Sequence, residues 1–370
     1  MSGQRHEGVD VDFSLAMHNR TGKYVIGRSL IDCDDLPVVR VLYWWSSRVP
    51  RGLVRRIFGR LQLWHIKSKT GTASGHERLA ALIPRRRNMR PLLHLDPLTV
   101  ATVRLRSDDI VVCHDIGPLT HPDLFEKDVG AMYRSIYDEI AQVGPHLVFV
   151  SRDVRDRFQQ AYPEGRAASR RVIYPAIESK KVPHDGGVAP PSVGSRFLLT
   201  VGSIGARKNQ RRCIEAYAYS SLPSQNVQYV ICGGPEPGFE EVAAAADSVD
   251  GVVMLPHVPD GELDWLYSNA QGFVLVSRLE GFGMPVAEAI EYGLVPLVTR
   301  HSVLEEVAGA DAFTADAEDV SDIQRGMEKL AALTVEERQM RSLGLRTYGQ
   351  RFRKEEVLRQ WRNAFSAWTA

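Results

Sequence analysis

RFLLTVGSIGARKNQRRCIEAYAY, residues 196–219, reads in order as a buried strand, a glycine-bearing loop and a helix. The apolar run RFLLTVG is too short to be a helix, whereas ARKNQRRCIEAYAY places apolar residues three to four positions apart. The same alternation continues downstream. VQYVICGG (227–234), GVVMLPHV (251–258), GFVLVSR (272–278) and LVPLVT (294–299) are strand-like, and GFEEVAAAAD, GELDWLYSNA and PVAEAIEYG between them have helical spacing. Continuous apolar strands alternating with helices predict βα units built on a parallel sheet. Asp260 is the expected N-cap of the GELDWLYSNA helix, and Thr334 with Glu337 predicts a capping box.

The first half repeats the rhythm less cleanly. VVRVLYWW, PLLHL, DIVVCHD, HLVFVS and RVIYP read as strands, with helices near 127–142 and 152–161 and Ser151 as a helix cap. The stretch 178–196, ESKKVPHDGGVAPPSVGSR, is rich in Pro, Gly, Ser and charge and reads as an interdomain linker. FRKEEVLRQWRNAFSAW (352–368) reads as an amphipathic terminal helix that needs an apolar surface to cover. The expected architecture is therefore α/β, with two doubly wound domains facing one another, 1–180 and 181–350, and a final helix, 351–370, returning to the first domain. In such sheets ligands bind outside the carboxyl ends of the strands.

At 370 residues, 44% apolar and 25% charged, the chain has ordinary globular composition and enough length for two cores. The net charge of +1 hides an asymmetry. Residues 1–180 hold 28 Lys or Arg against 20 Asp or Glu, a net of +8, and residues 181–370 hold 18 against 25, a net of −7. The basic half points to an anionic partner; with no recognised nucleic-acid module beside it, a nucleic-acid groove is disfavoured. No apolar run reaches the length of a membrane span and MSGQRHEGVDVDF lacks the apolar core of a signal peptide, so a cytoplasmic location is expected. Cys33, Cys113, Cys213 and Cys232 are too scattered for a zinc site or a disulfide framework.

Two loops of the second half carry the chemistry. VGSIGARKN brings Gly202, Gly205, Arg207 and Lys208 to one strand end, where glycines allow close backbone approach and two adjacent cations suit a diphosphate. It is neither a Walker loop nor a GxGxxG fingerprint, which speaks against ATP hydrolysis and nicotinamide binding; two solvated surface cations are the plain alternative. SRLEGFGMPVAEAIEYG (277–293) offers a helix start at Met284-Pro285, whose N–H groups favour an anion, flanked by Glu280 and Glu288. A carboxylate is a poor neighbour for phosphate and a good acceptor for vicinal diols. The ligand should then carry hydroxyls on both sides of its phosphates, as a nucleotide sugar does. The alternative leaves Glu280 capping a loop and Glu288 solvated.

The E-x7-E spacing of Glu280 and Glu288, the Glu-Gly-Phe-Gly segment and the upstream Arg-Lys-Asn resemble glycosyltransferase family 4, retaining enzymes of the GT-B fold. The resemblance is strong over 196–310 and weaker before, where NRTGKY, VCHDIGPLTHPD and LVFVSRDV are similar in order and placement. It implies that Arg207 and Lys208 bind the diphosphate, Glu288 the ribose, and Glu280 the transferred sugar. It also implies backbone contacts from Gly205, Phe282, Gly283 and Met284, a base beside His257 and Val258, and Gly22 approaching the diphosphate across the cleft. His114, at the end of DIVVCHD, would lie near the transferred sugar; a structural role for it, and for His121, is the alternative. HDIGPLTHPD and EGFGMPVAEA are most similar to bacterial mannosyltransferases of polysaccharide assembly, so the expected donor is GDP-mannose, bound as a substrate with no cofactor and no metal. A UDP-sugar transferase, an epimerase or phosphorylase of the same fold, and a silent nucleotide-sugar binder remain alternatives.

DCDD (32–35) contains an Asp-x-Asp pattern that binds manganese in a different glycosyltransferase fold, and is read here as a surface loop. Residues 48–69, RVPRGLVRRIFGRLQLWHIKSK, hold seven cations and no acid. Leu53, Ile57, Leu61 and Trp64 fall on one helical stripe, which fits either a helix lying on an anionic membrane, suited to a lipid-linked acceptor, or a basic helix packed on the first domain.

Overall fold

The computed structural model describes residues 8–18, 22–71, 85, 87–177 and 188–369. Residues 19–21 of the NRTGKY stretch and 178–187 of the expected linker lie outside the described residues. The chain forms two compact units, one of Met1–Ala176 with Lys354–Ala370 and one of Ile177–Arg353.

The first unit is a parallel sheet of β1 (Val9–Asp12), β2 (Val38–Leu42), β3 (Leu92–His94), β4 (Ile110–Cys113), β5 (His146–Phe149) and β6 (Ser169–Val172), in the order β2-β1-β3-β4-β5-β6. Its helices are α1 (Gly22–Ile31), α2 (Gly52–Lys69), α3 (Gly117–Thr120), α4 (Lys127–Val143) and α5 (Arg152–Ala161). The edge strands β2 and β6 are partly exposed and carry Arg40, Arg170 and Arg171, whereas the inner strands β3, β4 and β5 are short, mainly apolar runs with almost wholly buried side chains, as the covered part of a parallel sheet requires. β1 is the exception in composition. Its Val-Asp-Val-Asp sequence is fully buried because Asp10 takes an ion pair from Arg40 at 2.5 Å and a hydrogen bond from Asn88 at 3.1 Å.

The second unit holds β7 (Phe197–Val201), β8 (Gln228–Cys232), β9 (Val252–Leu255), β10 (Gly272–Leu275), β11 (Pro296–Thr299) and β12 (Phe313–Ala315), all parallel, in the order β12-β11-β10-β7-β8-β9. Around it lie α6 (Gln210–Tyr219), α7 (Phe239–Asp247), α8 (Asp260–Asn269), α9 (Met284–Glu291), α10 (Val303–Ala308), α11 (Val320–Ala331) and α12 (Val335–Gly349). The last helix, α13 (Lys354–Thr369), belongs to the first unit, where the Trp368 indole donates to Ser169 Oγ at 2.9 Å and packs on His146.

The doubly wound class is thus seen in both units. Counted from β7, the second sheet runs 3-2-1-4-5-6, so its order reverses between β7 and β10. In the first unit the reversal falls between β1 and β3. Loops leaving those strands diverge and open a crevice at the carboxyl ends.

Three local expectations are corrected. The 206–219 helix begins only at Gln210, because Asn209 adopts a left-handed φ of 61° and sends its amide to Val276 O (3.0 Å) and Ala317 O (2.8 Å); residues 206–208 form a single 3-10 turn. Asp260 is the first helical residue of α8 and makes no cap bond, since Pro259 already stands at the N-cap. The Trp44-Trp45 pair is outside β2: Trp44 turns to φ 59°, placing its own ring in the core and Trp45 outside. The Thr334–Glu337 capping box and the Ser151 cap, which accepts from Val154 N at 3.1 Å, are present. Among the described residues no helix is long and apolar enough to cross a membrane.

Candidate active site

In the second unit the loops after β7 and β10 meet at the switch point. Arg278 N donates to Arg207 O at 3.0 Å, and the Arg207 guanidinium reaches Leu279 O (3.1 Å), Glu280 (3.3 Å) and Glu236 (3.0 Å). Lys208 is only 6% exposed and pairs with the other oxygen of Glu280, itself 8% exposed, which also accepts from Ser277 Oγ at 3.0 Å. Burial alone would push the Glu280 carboxyl up; Lys208 and Arg207, with the hydrogen bonds from Lys208 and Ser277, outweigh it and hold the group below its ordinary value. The two cations and the carboxylate expected to hold different parts of one ligand are therefore directly paired here.

The glycines permit this crowding. A Cβ at Gly205 would lie 2.4 Å from Glu236 Cγ and 2.5 Å from Pro237 O, so only glycine lets the β7 and β8 loops touch. Gln210 locks the turn by accepting from Gly205 N (3.2 Å) and donating to Ser203 O (2.8 Å), and Ser203 Oγ donates to Glu236 at 2.6 Å.

Phe282 and Gly283 are buried beneath the start of α9, where Gly283 is the N-cap at φ 96°. The first-turn N–H groups of a helix lack intrahelical acceptors, and Pro285 has none to satisfy, so the α9 start directs Met284 N–H and the positive helix end outward. A Cβ at Gly283 would sit 2.4 Å from Leu304 Cδ2. Gly283→Ala is accordingly expected to destabilise the protein by about 2 kcal/mol through left-handed strain and this clash, read as a lowered thermal midpoint; an unchanged midpoint would show that the loop relaxes freely.

Glu288 lies one turn into α9, half-buried, and accepts from the buried Tyr267 hydroxyl of α8 at 3.2 Å. Tyr267 in turn stacks on Tyr292 with centroids 4.9 Å apart. His257, exposed, and Val258, half-buried, stand in the β9–α8 loop on the edge strand, two strands from β7.

The first unit places its candidates at the β1/β3 reversal. Gly22 opens α1, followed by Lys23, which pairs with Asp96 after β3 at 2.6 Å. Burial opposes both charges, but their mutual attraction prevails: Lys23 is held above, and Asp96 below, the ordinary value. His114 follows β4, and its Nε2–H donates to Leu95 O at 2.7 Å. Burial, reinforced by Lys23, pushes its imidazole down to about 4, so near neutral pH it is uncharged, with Nδ1 as the acceptor nitrogen. His121 bonds Thr120 Oγ1 at 2.9 Å. Asp32, Asp34 and Asp35 are exposed just after α1, with Asp32 paired to Arg28 and Asp35 facing Arg362 at 3.8 Å.

Sequence reasoning missed Glu236, Ser277, Asn209, Tyr267, Lys23 and Asp96. Asn209 carried a usable signal, because asparagine is among the few residues that tolerate a left-handed turn before a helix. Ser277 lies three residues before Glu280 in the same loop, and Glu236, Tyr267, Lys23 and Asp96 reach their partners through pairings between segments distant in sequence.

Residues 189–344 match the model of the family "Glycosyl transferases group 1". The chain is 26% identical over 229 residues to O-antigen chain mannosyltransferase B of Escherichia coli, covering 58% of each chain. It is 33% identical over 269 residues to the serotype-specific mannosyltransferase WbdA of Escherichia coli, covering 64% of this chain and 31% of that one. Over its whole length it is similar in fold to Anabaena Alr3699/HepE, solved with UDP and glucose, at a TM-score of 0.61 and 15% identity, with 98% and 100% of the two chains covered. A trehalose-phosphate synthase from Burkholderia vietnamiensis aligns at a TM-score of 0.62 and 10% identity over 86% of this chain and 78% of that one. The chain thus spans little more than half of the first relative and under a third of the second. With the switch-point loops and both Rossmann-like sheets in place, residues 189–344 form a segment that matches the glycosyl transferases group 1 model, within a chain whose fold is similar to that of GT-B glycosyltransferase structures.

Proposed function

We propose that the chain transfers mannose from GDP-mannose, with retention, to a hydroxyl of a saccharide or lipid-linked saccharide in polysaccharide assembly. The observation that carries a transferase reading is the convergence of Arg207, Lys208 and Glu280 on the loops after β7 and β10, next to the start of α9. The mannosyltransferase names of the Escherichia coli relatives support the choice of sugar. The donor is a substrate in this scheme, which uses neither metal nor cofactor.

When the bond from the anomeric carbon to the phosphate oxygen breaks, negative charge grows on the departing diphosphate. Arg207, Lys208 and the α9 N-terminus stabilise it, and such preorganised donors are worth about 3 to 4 kcal/mol each when removed. Glu280, held ionised, exchanges contacts with the cations for hydroxyls of the sugar, and Glu288 takes the ribose diol. The acceptor oxygen bonds to the anomeric carbon on the face the phosphate leaves, through an oxocarbenium-like state, and its proton passes to a phosphate oxygen.

Incubation with GDP-mannose and UDP-glucose, each with and without saccharide acceptor, tests this by mass spectrometry of the products. Mannosylated acceptor and GDP formed only when both substrates are present are expected. A new sugar nucleotide formed from donor alone would assign an epimerase, and glucosylation from UDP-glucose would overturn the donor assignment.

A further inference from the structure

Helix α2 is attached to the first unit by the wrong kind of face. Gly59, Gln62 and Ile66 recur at helical spacing on the inward face, and the exposed Arg55 on the same stripe bends its guanidinium back to the unit. Arg55 donates to Met17 O at 2.5 Å, Gln62 donates to Ser14 Oγ at 2.7 Å, Gly59 lies so close to His18 that a Cβ would meet its imidazole at 2.8 Å, and Ile66 is fully buried. The opposite face carries Leu53, Ile57 and Leu61, which are 71%, 46% and 42% exposed, with half-buried Trp64 on the same stripe. A helix that only packs on a soluble domain turns its aliphatic residues to the core and its polar ones to water. This one does the reverse.

The exposed stripe continues into the preceding loop through Trp45 and Val49, half exposed or more. On a helical projection Arg56, Arg60 and Lys67 flank Leu53, Ile57 and Leu61 along one side, and no acidic residue occurs between Arg48 and Lys69. Apolar residues with a tryptophan at the boundary and a rim of cations match the interface of an anionic bilayer, where the aliphatic groups enter the acyl boundary and the cations meet the headgroups. A second copy of the chain would set this basic face against itself, and a nucleic acid offers nothing for three aliphatic side chains. We propose that α2, with Trp45 and Val49, docks the chain on an anionic lipid surface. The inference does not depend on which sugar is transferred.

Sedimentation with vesicles of phosphatidylcholine alone, and of phosphatidylcholine mixed with phosphatidylglycerol, tests it with the full chain. The wild type is expected to sediment with the mixed vesicles and to be released by salt. The variants Arg51→Glu/Arg56→Glu/Arg60→Glu and Leu53→Ser/Ile57→Ser/Leu61→Ser replace exposed side chains and are expected to keep the thermal midpoint while each lowers partitioning by about a hundredfold. Equal sedimentation with both vesicle types, none with either, or wild-type partitioning by both variants would overturn the proposal. So would self-association by light scattering that the serine variant abolishes without any vesicle binding, which would assign the face to a second copy.

Discussion

Lys208→Ala is expected to lower turnover by about 10²- to 10³-fold, the loss seen when one preorganised transition-state donor is removed. It should also destabilise the second unit, because Lys208 is buried against a buried carboxylate. Removing one partner of an isolated buried pair costs about 3 to 5 kcal/mol; Arg207 and Ser277 still hold Glu280, so a smaller loss of about 1 to 3 kcal/mol is expected here. The surface-cation reading of the sequence predicted no such loss. The double variant Lys208→Ala/Glu280→Ala separates the two effects: the thermal midpoint should recover much of what Lys208→Ala lost, and steady-state turnover should not recover at all. Near-normal turnover in Lys208→Ala would remove the diphosphate role.

Glu280→Gln should split binding from catalysis. Glu280 now neutralises Arg207 and Lys208, so its amide isostere raises the charge of the cluster by one without changing its shape. Free GDP is expected to bind about tenfold more tightly in this low-dielectric setting, while kcat falls on the order of a hundredfold because the sugar loses its charged acceptor. A carboxylate serving only as structural ballast would move neither in that direction. The carboxyl is held below its ordinary value, so the stability it contributes is present above that value and is lost only as pH falls through the lower folded-state one. Glu280 therefore stays ionised through the neutral range, and its titration should leave the pH profile of wild-type turnover flat there.

The parallel-sheet class was legible because β7, β8, β9, β10 and β11 are uninterrupted apolar runs, a pattern only a sheet covered on both faces requires. β1 was not legible as a strand. Its two aspartates break the apolar run; the burial of Asp10 rests on Arg40 and Asn88, which lie far along the chain, while Asp12 accepts from the nearby Ser14. β12, three residues long between acidic turns, carried too little pattern to separate from a loop. The stripe Leu53-Ile57-Leu61 was legible as a stripe, but its direction was not, because inward attachment is made by Arg55, Gly59 and Gln62, residues that periodicity counts as the solvent side.

Within the site, residue types were legible and partners were not. Arg207, Lys208, Gly283 and Glu280 announced themselves through adjacency and spacing inside two short segments. That Glu280 is paired with both cations, and that Glu236 shares Arg207, depends on the adjacency of β7, β8 and β10, which only the sheet order reveals. Tyr267 reaches Glu288 by the same route, from a helix two elements earlier.

The central claim is that the Arg207–Lys208 pair at the β7/β10 switch point grips a nucleoside diphosphate. Isothermal titration of GDP into the folded chain and into Arg207→Ala/Lys208→Ala tests it without needing the acceptor. The account predicts saturable binding by the wild type that weakens with salt, and a loss of affinity of at least about a hundredfold in the double variant. Equal affinity in the two proteins would contradict it.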